Sequence, residues 1–251
     1  MTSVVQAGGS SSGGVTNGVG RRRVGLQLTS RDLTLLRWIG EQYCCRGDLL
    51  AVLMARHSDD ETVRAAGRVV PWVAQRRIAA WRSAGLVTTA QFVANTPATV
   101  WLTSDGMAAA RLAWRASAPT FATVAHRHAV GVVRAYAEAT NPAFGWVSER
   151  ELREGLDHPA GGRRDHLPDG VITSTDDTGR TWRSAIEVEL TRKTRGRVEE
   201  ILRGLLARHD DVVYFAVPAA AGTVAAAAQA IAASERVRVR PFPPEALAAV
   251  A

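Results

Sequence analysis

The feature that most constrains the fold is an alternation of strand and helix patterns in the second half of the chain. From Trp182 to Leu190 every second residue is apolar or small, and three of the four residues between them are charged. A period of two residues is that of a β-strand, whose side chains point alternately to its two faces. Residues 194–208 repeat with a helical period instead, and the apolar run DVVYFAVP is typical of a buried strand.

The order of these segments predicts an α/β domain over residues 143–251. Ser148 caps a short helix, with Glu151 completing a capping box, and two strands follow. A helix, a strand, an alanine-rich helix and the strand VRVRPF complete the order α-β-β-α-β-α-β. This order predicts a three-layer fold in which helices cover a sheet. Residues 216–233 are uncharged, but alanine gains little on transfer into lipid, so we expect a packed helix and no membrane partner.

The first half of the chain follows a different pattern. Helical periods cover residues 28–39, 48–54 and 72–84, and strand patterns at residues 86–89 and 99–102 flank a polar loop. The apolar stripe of the first helix consists of Leu33, Leu36, Trp38 and Ile39. Thr103 caps a further helix, which we expect to run as far as Trp114. This order is that of a winged helix-turn-helix, which we place at residues 26–117. A connecting segment, residues 118–142, contains one predicted helix at residues 121–140.

The distribution of charge indicates two different roles for the two halves. The 251 residues carry a formal net charge of +7. Residues 1–130 contain 15 arginines and 7 acidic residues, whereas residues 131–251 contain 16 basic and 17 acidic residues. The positive excess therefore belongs to the first half, where it favours an anionic partner, and nucleic acid is the first candidate.

Basic residues at two places are candidates for binding double-stranded DNA. Arg76, Arg77 and Arg82 are predicted to face outward from the third helix, which enters the major groove in winged helices. Low-complexity composition predicts that residues 1–25 form a disordered arm, and its basic end is a candidate for lying along phosphates: Arg21, Arg22 and Arg23. The alternatives are solvated arginines, or a winged helix that contacts protein.

The two cysteines, Cys44 and Cys45, are adjacent in sequence. This spacing suits neither a disulfide scaffold nor a metal site, so we expect two reduced thiols. The first twenty residues lack the basic and then apolar pattern of a secretory signal. Both observations predict a cytoplasmic protein.

Three acidic residues form the candidate catalytic and metal site. Glu187 and Glu189 have the same strand parity, and Asp169 lies at the start of the neighbouring predicted strand. Carboxylates, water and phosphate oxygens are the ligands that Mg²⁺ prefers, so Asp169 and Glu187 are candidate Mg²⁺ ligands. Lys193 shares the parity of Glu189 and is placed to stabilise negative charge if the strand continues that far. The alternative is a solvated strand face, on which the two glutamates lie beside Arg183 and Lys193.

These residues resemble a known nuclease motif. The sequence PDG at Pro168–Gly170, followed by EVE at Glu187–Glu189, is similar to the PD-(D/E)xK motif, and the order α-β-β-α-β agrees with that fold. The resemblance implies that Asp169 and Glu187 bind metal and that Glu189 occupies the usual lysine position. It also implies that Glu149 or Glu151 is the additional acid that some members carry on the preceding helix.

The chain as a whole resembles the replication-relaxation family of actinobacterial plasmids, phages and integrated elements. The matching stretches, over about residues 26–217, are LTSRDLTLLRWI, RRIAAWRSAGLV, WVSERELRE, PDGVI and AIEVELTRK. The resemblance implies a winged helix joined to a nuclease-like domain, with a role in replication, relaxation or mobilisation of DNA. It leaves two alternatives: a Mg²⁺-dependent nicking enzyme, and a non-catalytic regulator or accessory factor that uses an inactive nuclease fold for backbone contact or as a homodimer.

The histidines give weaker signals. His126-Arg127-His128, with Tyr136 downstream, is similar to the histidine motif of rolling-circle relaxases, but the segment is predicted to be helical rather than a strand. We interpret this pair as solvated or at the edge of the core. His166, three residues before Asp169, is placed to approach a bound phosphate, although a loop histidine without a role is the simpler interpretation.

Overall fold

The computed structural model describes residues 26–154 and 166–242. The predicted arm with Arg21, Arg22 and Arg23 therefore lies outside the described residues. The described chain is a mixed α/β structure with two sheets, which confirms the predicted class.

The N-terminal unit consists of helices around a small antiparallel sheet. Its elements are α1 (Ser30–Glu41), β1 (Cys45–Arg46), α2 (Gly47–Arg56), α3 (Glu61–Ala65), α4 (Pro71–Ser83), β2 (Val87–Ala90), β3 (Thr99–Leu102) and α5 (Ser104–Ala109). The strand order is β1-β3-β2, with both pairs antiparallel. The short helix α3 was not predicted, since its five residues bury none of their side chains and so leave no apolar period.

Two predictions for this unit are wrong in detail. The helix expected to reach Trp114 ends at Ala109, and Arg111 adopts a φ of 56° in the left-handed region, which an α-helix cannot continue through. Leu33, expected on the buried stripe of α1, is 37% exposed. Cys44 and Cys45 are free and buried, and burial raises the pKa of Cys44 to about 11.

The start of α1 explains why Arg77 does not face outward as predicted. Thr29 caps α1, and Asp32 accepts hydrogen bonds from the Thr29 backbone and hydroxyl, both at 2.7 Å. Asp32 is only 1% exposed, and a buried carboxylate needs a cation. Arg77 supplies it, with Nε 2.6 Å from Asp32 Oδ1, so this arginine is a structural partner inside the unit.

The sheet unit contains five strands. Its elements are β4 (Gly145–Ser148), α7 (Glu149–Glu154), β5 (Gly170–Thr175), β6 (Thr181–Glu189), α8 (Arg195–Leu206), β7 (Asp211–Ala216), α9 (Pro218–Ala230), a 3₁₀ turn (Ser234–Arg236) and β8 (Val237–Pro241). The strand order is β4-β5-β6-β7-β8, antiparallel from β4 to β6 and parallel from β6 to β8. The predicted order omitted β4, whose four residues form a strand only by pairing with β5.

Helices cover both faces of this sheet. On one face Ala185 and Val212 pack against residues of α8 and α9, including Leu202 and Ala227. On the other face Ile186 and its neighbours pack against α6 (Phe121–Thr140). Among the described residues no helix is both long enough and apolar enough to span a bilayer, and α9 is a packed helix as predicted.

The helix α6 joins the two units and spans the predicted residues 121–140. Val132 and Ala135 belong to the core of the N-terminal unit, whereas Val130 and Val133 belong to the core against the sheet. Gly131 lies where α6 packs closely on the N-terminal unit, since a Cβ there would be 3.2 Å from both the Leu49 and Trp38 side chains. A larger residue at this position would push α6 away from the N-terminal unit.

Candidate carboxylate and histidine site

Glu187 and Glu189 lie near the carboxyl end of β6, the central strand of the five. They share the parity of Ala185, which faces α8, and they are only 3% and 4% exposed. The alternative of a solvated strand face is therefore wrong, because β6 has a neighbouring strand on each side and helices on both faces. A carboxylate in such a position must be neutralised or paired.

Asp169, the residue before β5, is held against β6. Its Oδ2 accepts a hydrogen bond of 2.7 Å from the backbone N–H of Val188, between the two glutamates. Its Oδ1 lies 2.8 Å from Nε2 of His126 on α6. The hydrogen bond to Asp169 raises the pKa of His126 and outweighs the opposing effect of burial. His126, interpreted from the sequence as a histidine that is solvated or at the edge of the core, thus belongs to the site.

Glu187 has a histidine partner of its own. His166 Nε2 lies 2.9 Å from Glu187 Oε1. Burial and the nearby charge of Asp169 raise the pKa of Glu187 to about 7, although His166 and Lys193 oppose the rise. Burial lowers the pKa of His166, but the hydrogen bond and the charge of Glu187 outweigh it, and the net direction is upward. This pair therefore holds or releases a proton near neutral pH.

Lys193 contacts Glu189 from a loop and not, as had been predicted, from a continued strand. The strand ends at Glu189 and does not continue to residue 193. Lys193 lies instead in the loop before α8, next to the cap residue Thr194, and its Nζ forms an ion pair with Oε2 of Glu189. The only lysine of the chain therefore places its charge at the end of β6.

Tyr214 is a member of the site that the sequence analysis missed. It lies on β7 directly beside Glu187 in the parallel register, and it is fully buried. Its hydroxyl has no hydrogen-bond partner among the described residues. Burial and the charges of Glu187, Glu189 and Asp169 raise its pKa. In the sequence, a tyrosine inside a buried apolar run gives no signal beyond that of a core residue.

The expected additional acid is placed beside Asp169 rather than beside the glutamates. Glu149 donates its backbone N–H to the carbonyl of Asp169 at 3.3 Å, and its carboxylate pairs with Arg153. Both Glu149 and Asp169 line a cleft of about 610 Å³ between the two units, together with His126 and Tyr43. Glu151 is exposed and is absent from the described residues that line this cleft.

The chemistry of the donor set decides whether Mg²⁺ fits this site. No three His, Cys, Asp or Glu residues in the described ranges are placed to hold one metal ion, so the expected three-acid pocket is not formed there. Asp169 and Glu187 still provide two carboxylates. The Tyr214 hydroxyl, which has no partner among the described residues, provides a group that can bind a water molecule. Mg²⁺ commonly binds one or two carboxylates and completes its shell with water and phosphate oxygens. Asp169 and Glu187 are the residues that would hold an ion of that kind.

The candidate DNA-binding residues on α4 are only partly available. Arg76 and Arg82 are exposed, whereas the Arg77 guanidinium is bound to Asp32. Trp72 and Val70, at the start of α4, are 62% and 52% exposed. The loop between β2 and β3, residues 91–98, contains no basic residue, so any phosphate contact there depends on backbone or amide groups.

Comparison of this chain with protein-family models, with curated proteins and with solved structures finds no match. The assignment of function therefore rests on the sequence motifs and the geometry above.

Proposed function

We propose that this chain is a DNA-binding protein that nicks DNA in the presence of Mg²⁺ and acts in the replication, relaxation or mobilisation of a mobile element. The observation that carries the proposal is the pair of acids formed by the buried Glu187 and the half-buried Asp169. Glu187 is 3% exposed and has a pKa raised to about 7 by burial and by Asp169. Burial of a carboxylate beside a second one costs stability, and a group perturbed in this way is typical of functional sites.

The N-terminal unit supports the DNA-binding part of the proposal. Helices α2 and α4 pack together and contact a small antiparallel sheet of order β1-β3-β2, which supports the interpretation of this unit as a winged helix. Arg76 and Arg82 lie on the exposed side of α4, where they are available to bases or phosphates. The resemblance of the sequence motifs to the replication-relaxation family points in the same direction.

The residues around the acids have distinct roles in the proposed reaction. When bound, Mg²⁺ polarises a phosphodiester and lowers the pKa of a bound water. Asp169 and Glu187 would hold this ion, and the Val188 N–H fixes the orientation of Asp169. His126 and His166 balance the charges of the two acids and hold protons at their Nε2 atoms. Lys193 places a positive charge where negative charge develops on the phosphate.

Nicking of a supercoiled plasmid in Mg²⁺ tests the catalytic part. We expect Asp169→Asn to lower the nicking rate at least 100-fold and to leave duplex binding unchanged. Asp176→Asn, a matched change of an exposed acid in the turn after β5, should keep the wild-type rate. Intact supercoiled plasmid after a full Mg²⁺ and Mn²⁺ titration with the wild-type protein would refute nicking.

One observation favours the second candidate, a non-catalytic DNA-binding factor. Each of the three acids has a basic partner of its own: His126 for Asp169, His166 for Glu187 and Lys193 for Glu189. Such pairing stabilises a buried site without any metal. If this candidate is correct, duplex binding persists, and wild type and Asp169→Asn are equally inert towards plasmid.

Duplex binding itself is tested on α4. Arg76→Gln with Arg82→Gln should weaken binding and lower the salt dependence of affinity, because phosphate contacts release counterions. Arg203→Gln is the control, since Arg203 lies on α8 and pairs with Glu199. Equal affinities and salt slopes for wild type and the α4 variant would exclude α4 as the DNA-binding face.

A further inference from the structure

A groove lies beside the acidic site and outside it. It has a volume of about 770 Å³ and is formed by the loop after β6, the start of α8 and one side of α9. Of the described residues that line it, the charged ones are all basic: Arg192, Lys193 and Arg195. A groove lined with charges of one sign concentrates ligands of the opposite sign.

The three basic residues differ in whether they already form an ion pair with an acidic residue. Lys193 is paired with Glu189, and Arg195 Nε lies 3.2 Å from Glu199. Arg192 is exposed and has no hydrogen bond or ion pair among the described residues. Its guanidinium is therefore the donor in this groove that is free to bind an anion, and a planar guanidinium matches two phosphate oxygens.

The opposite wall of the groove is neutral and small. It is formed on α9 by residues that include Ala219, Gly222 and Ala226. A Cβ at Gly222 would meet no atom within 4 Å, so the space above this wall is open. Neither a carboxylate to repel phosphate nor a large apolar side chain to anchor a protein partner is among the described lining residues.

We infer that this groove binds the sugar-phosphate backbone of the DNA on which the protein acts, with Arg192 as the principal phosphate ligand. The inference rests on the proposed function and adds to it the path of the DNA. Lys193 lines the groove and also contacts Glu189, so a strand in the groove passes next to the acids. The groove thus positions the backbone for the site at the end of β6, independently of α4.

The test is fluorescence anisotropy with a labelled 20-base-pair duplex over a NaCl series. Loss of one phosphate contact lowers the salt slope by about 0.9, which corresponds to about tenfold in affinity near 0.1 M salt. We expect this change for Arg192→Gln and about twice the change in slope for Arg192→Gln with Arg195→Gln. Arg203→Gln, on α8 and outside the groove, should match wild type. Since Arg192 is exposed, its substitution should leave the Tm unchanged.

Each outcome bears on a different claim. If wild type binds no duplex at any salt concentration, the proposed function fails. If wild type binds and Arg192→Gln keeps its affinity and slope, only the groove assignment is overturned. A loss of affinity that does not depend on salt also overturns it, because phosphate contact requires salt dependence. Vesicles containing phosphatidylserine are the remaining probe: if Arg192→Gln loses vesicle binding and keeps duplex binding, the groove serves a membrane surface and the inference is wrong.

Discussion

His166 and Glu187 form a bonded pair inside the sheet unit, with Nε2 of the histidine 2.9 Å from Oε1 of the glutamate. The glutamate is almost fully buried, and the histidine is its nearest proton donor. Burial raises the pKa of Glu187 to about 7, and the carboxylate in turn raises the pKa of His166. The folded chain therefore holds protons on this pair at a pH where the unfolded chain has lost them.

This difference predicts a loss of stability as the pH rises from 6.5 to 8. The unfolded glutamate is already ionised above its ordinary pKa of 4.5, whereas the folded one ionises only near 7. His126 and His166 act in the same direction. Because their pKa values are raised in the folded chain, the protein loses stability as these two histidines deprotonate. We expect the wild-type Tm to fall across this interval and Glu187→Gln to show a flatter profile, measured by scanning calorimetry.

The sign of the slope separates this effect from that of the other histidines. Burial lowers the pKa of His57, His128 and His209, so near pH 6.5 the unfolded chain binds more protons at these residues, and they make stability rise rather than fall as the pH increases. Asp176→Asn is the control, because Asp176 has a lowered pKa and changes charge only in acid. A Glu187→Gln profile as steep as that of wild type would show that Glu187 does not hold the proton.

Tyr214→Phe removes a buried hydroxyl that has no partner among the described residues. An unsatisfied buried polar group costs about 1–3 kcal/mol, so the free energy of unfolding should rise by about 1 kcal/mol or more. Urea denaturation in metal-free buffer measures this free energy for wild type and variant. Tyr136→Phe is the matched control, since Tyr136 is half-buried against Phe215 and should change little. A decrease for Tyr214→Phe would mean that the hydroxyl binds a water or an ion in solution.

Local patterns predicted much of the fold correctly. The period of two residues located β6, and the long apolar period of α6 indicated its bounds, because both elements bury enough apolar side chains to show it. The four residues of β4 were missed because their strand conformation depends on pairing with β5. Helix α3 has one half-buried side chain, that of Val63, and no fully buried one, so it leaves no apolar period to recognise.

The acids of the candidate site were also predictable, but their partners were not. Glu187 and Glu189 are recognisable because carboxylates at strand spacing in an apolar context are unusual, and Asp169 because it begins the neighbouring predicted strand. His126 lies 43 residues before Asp169, and only the packing of α6 on the sheet brings them together. The sequence could not predict the inward direction of Arg77 for the same reason, since its partner Asp32 is 45 residues away in sequence.

Asp32→Ala should destabilise the N-terminal unit strongly. Asp32 is 1% exposed and accepts two hydrogen bonds from Thr29 and two from Arg77. It also accepts a hydrogen bond of 3.3 Å from Trp81 Nε1. Removal of one partner from a buried ion pair costs about 3–5 kcal/mol, and here the helix cap is lost as well. Urea denaturation should show this loss, whereas Asp59→Ala, at an exposed acid, should be neutral. A cost below about 1 kcal/mol would show that Arg77 is solvated and free to bind DNA.

Arg150→Ala should separate the unfolding of the two units. Arg150, on α7 of the sheet unit, is 4% exposed, and its Nη1 donates to the carbonyl of Gly40 at 2.7 Å. It also donates to the carbonyl of Arg115, and its guanidinium lies 4.9 Å from the centre of the Tyr43 ring. Hydrogen bonds to a charged group contribute about 1.5–3 kcal/mol each, so we expect a loss of about 3 kcal/mol or more.

The shape of the transition distinguishes a link between the units from a merely local contact. Wild type should unfold in one calorimetric transition, because α6 and Arg150 tie the units together. Arg150→Ala should broaden this transition or split it into two, while Arg203→Ala, which changes an exposed arginine on α8, should leave a single peak. A single transition shifted to lower temperature in Arg150→Ala would mean that α6 alone couples the units, since the apolar contacts of Val130, Val132 and Val133 remain in that variant.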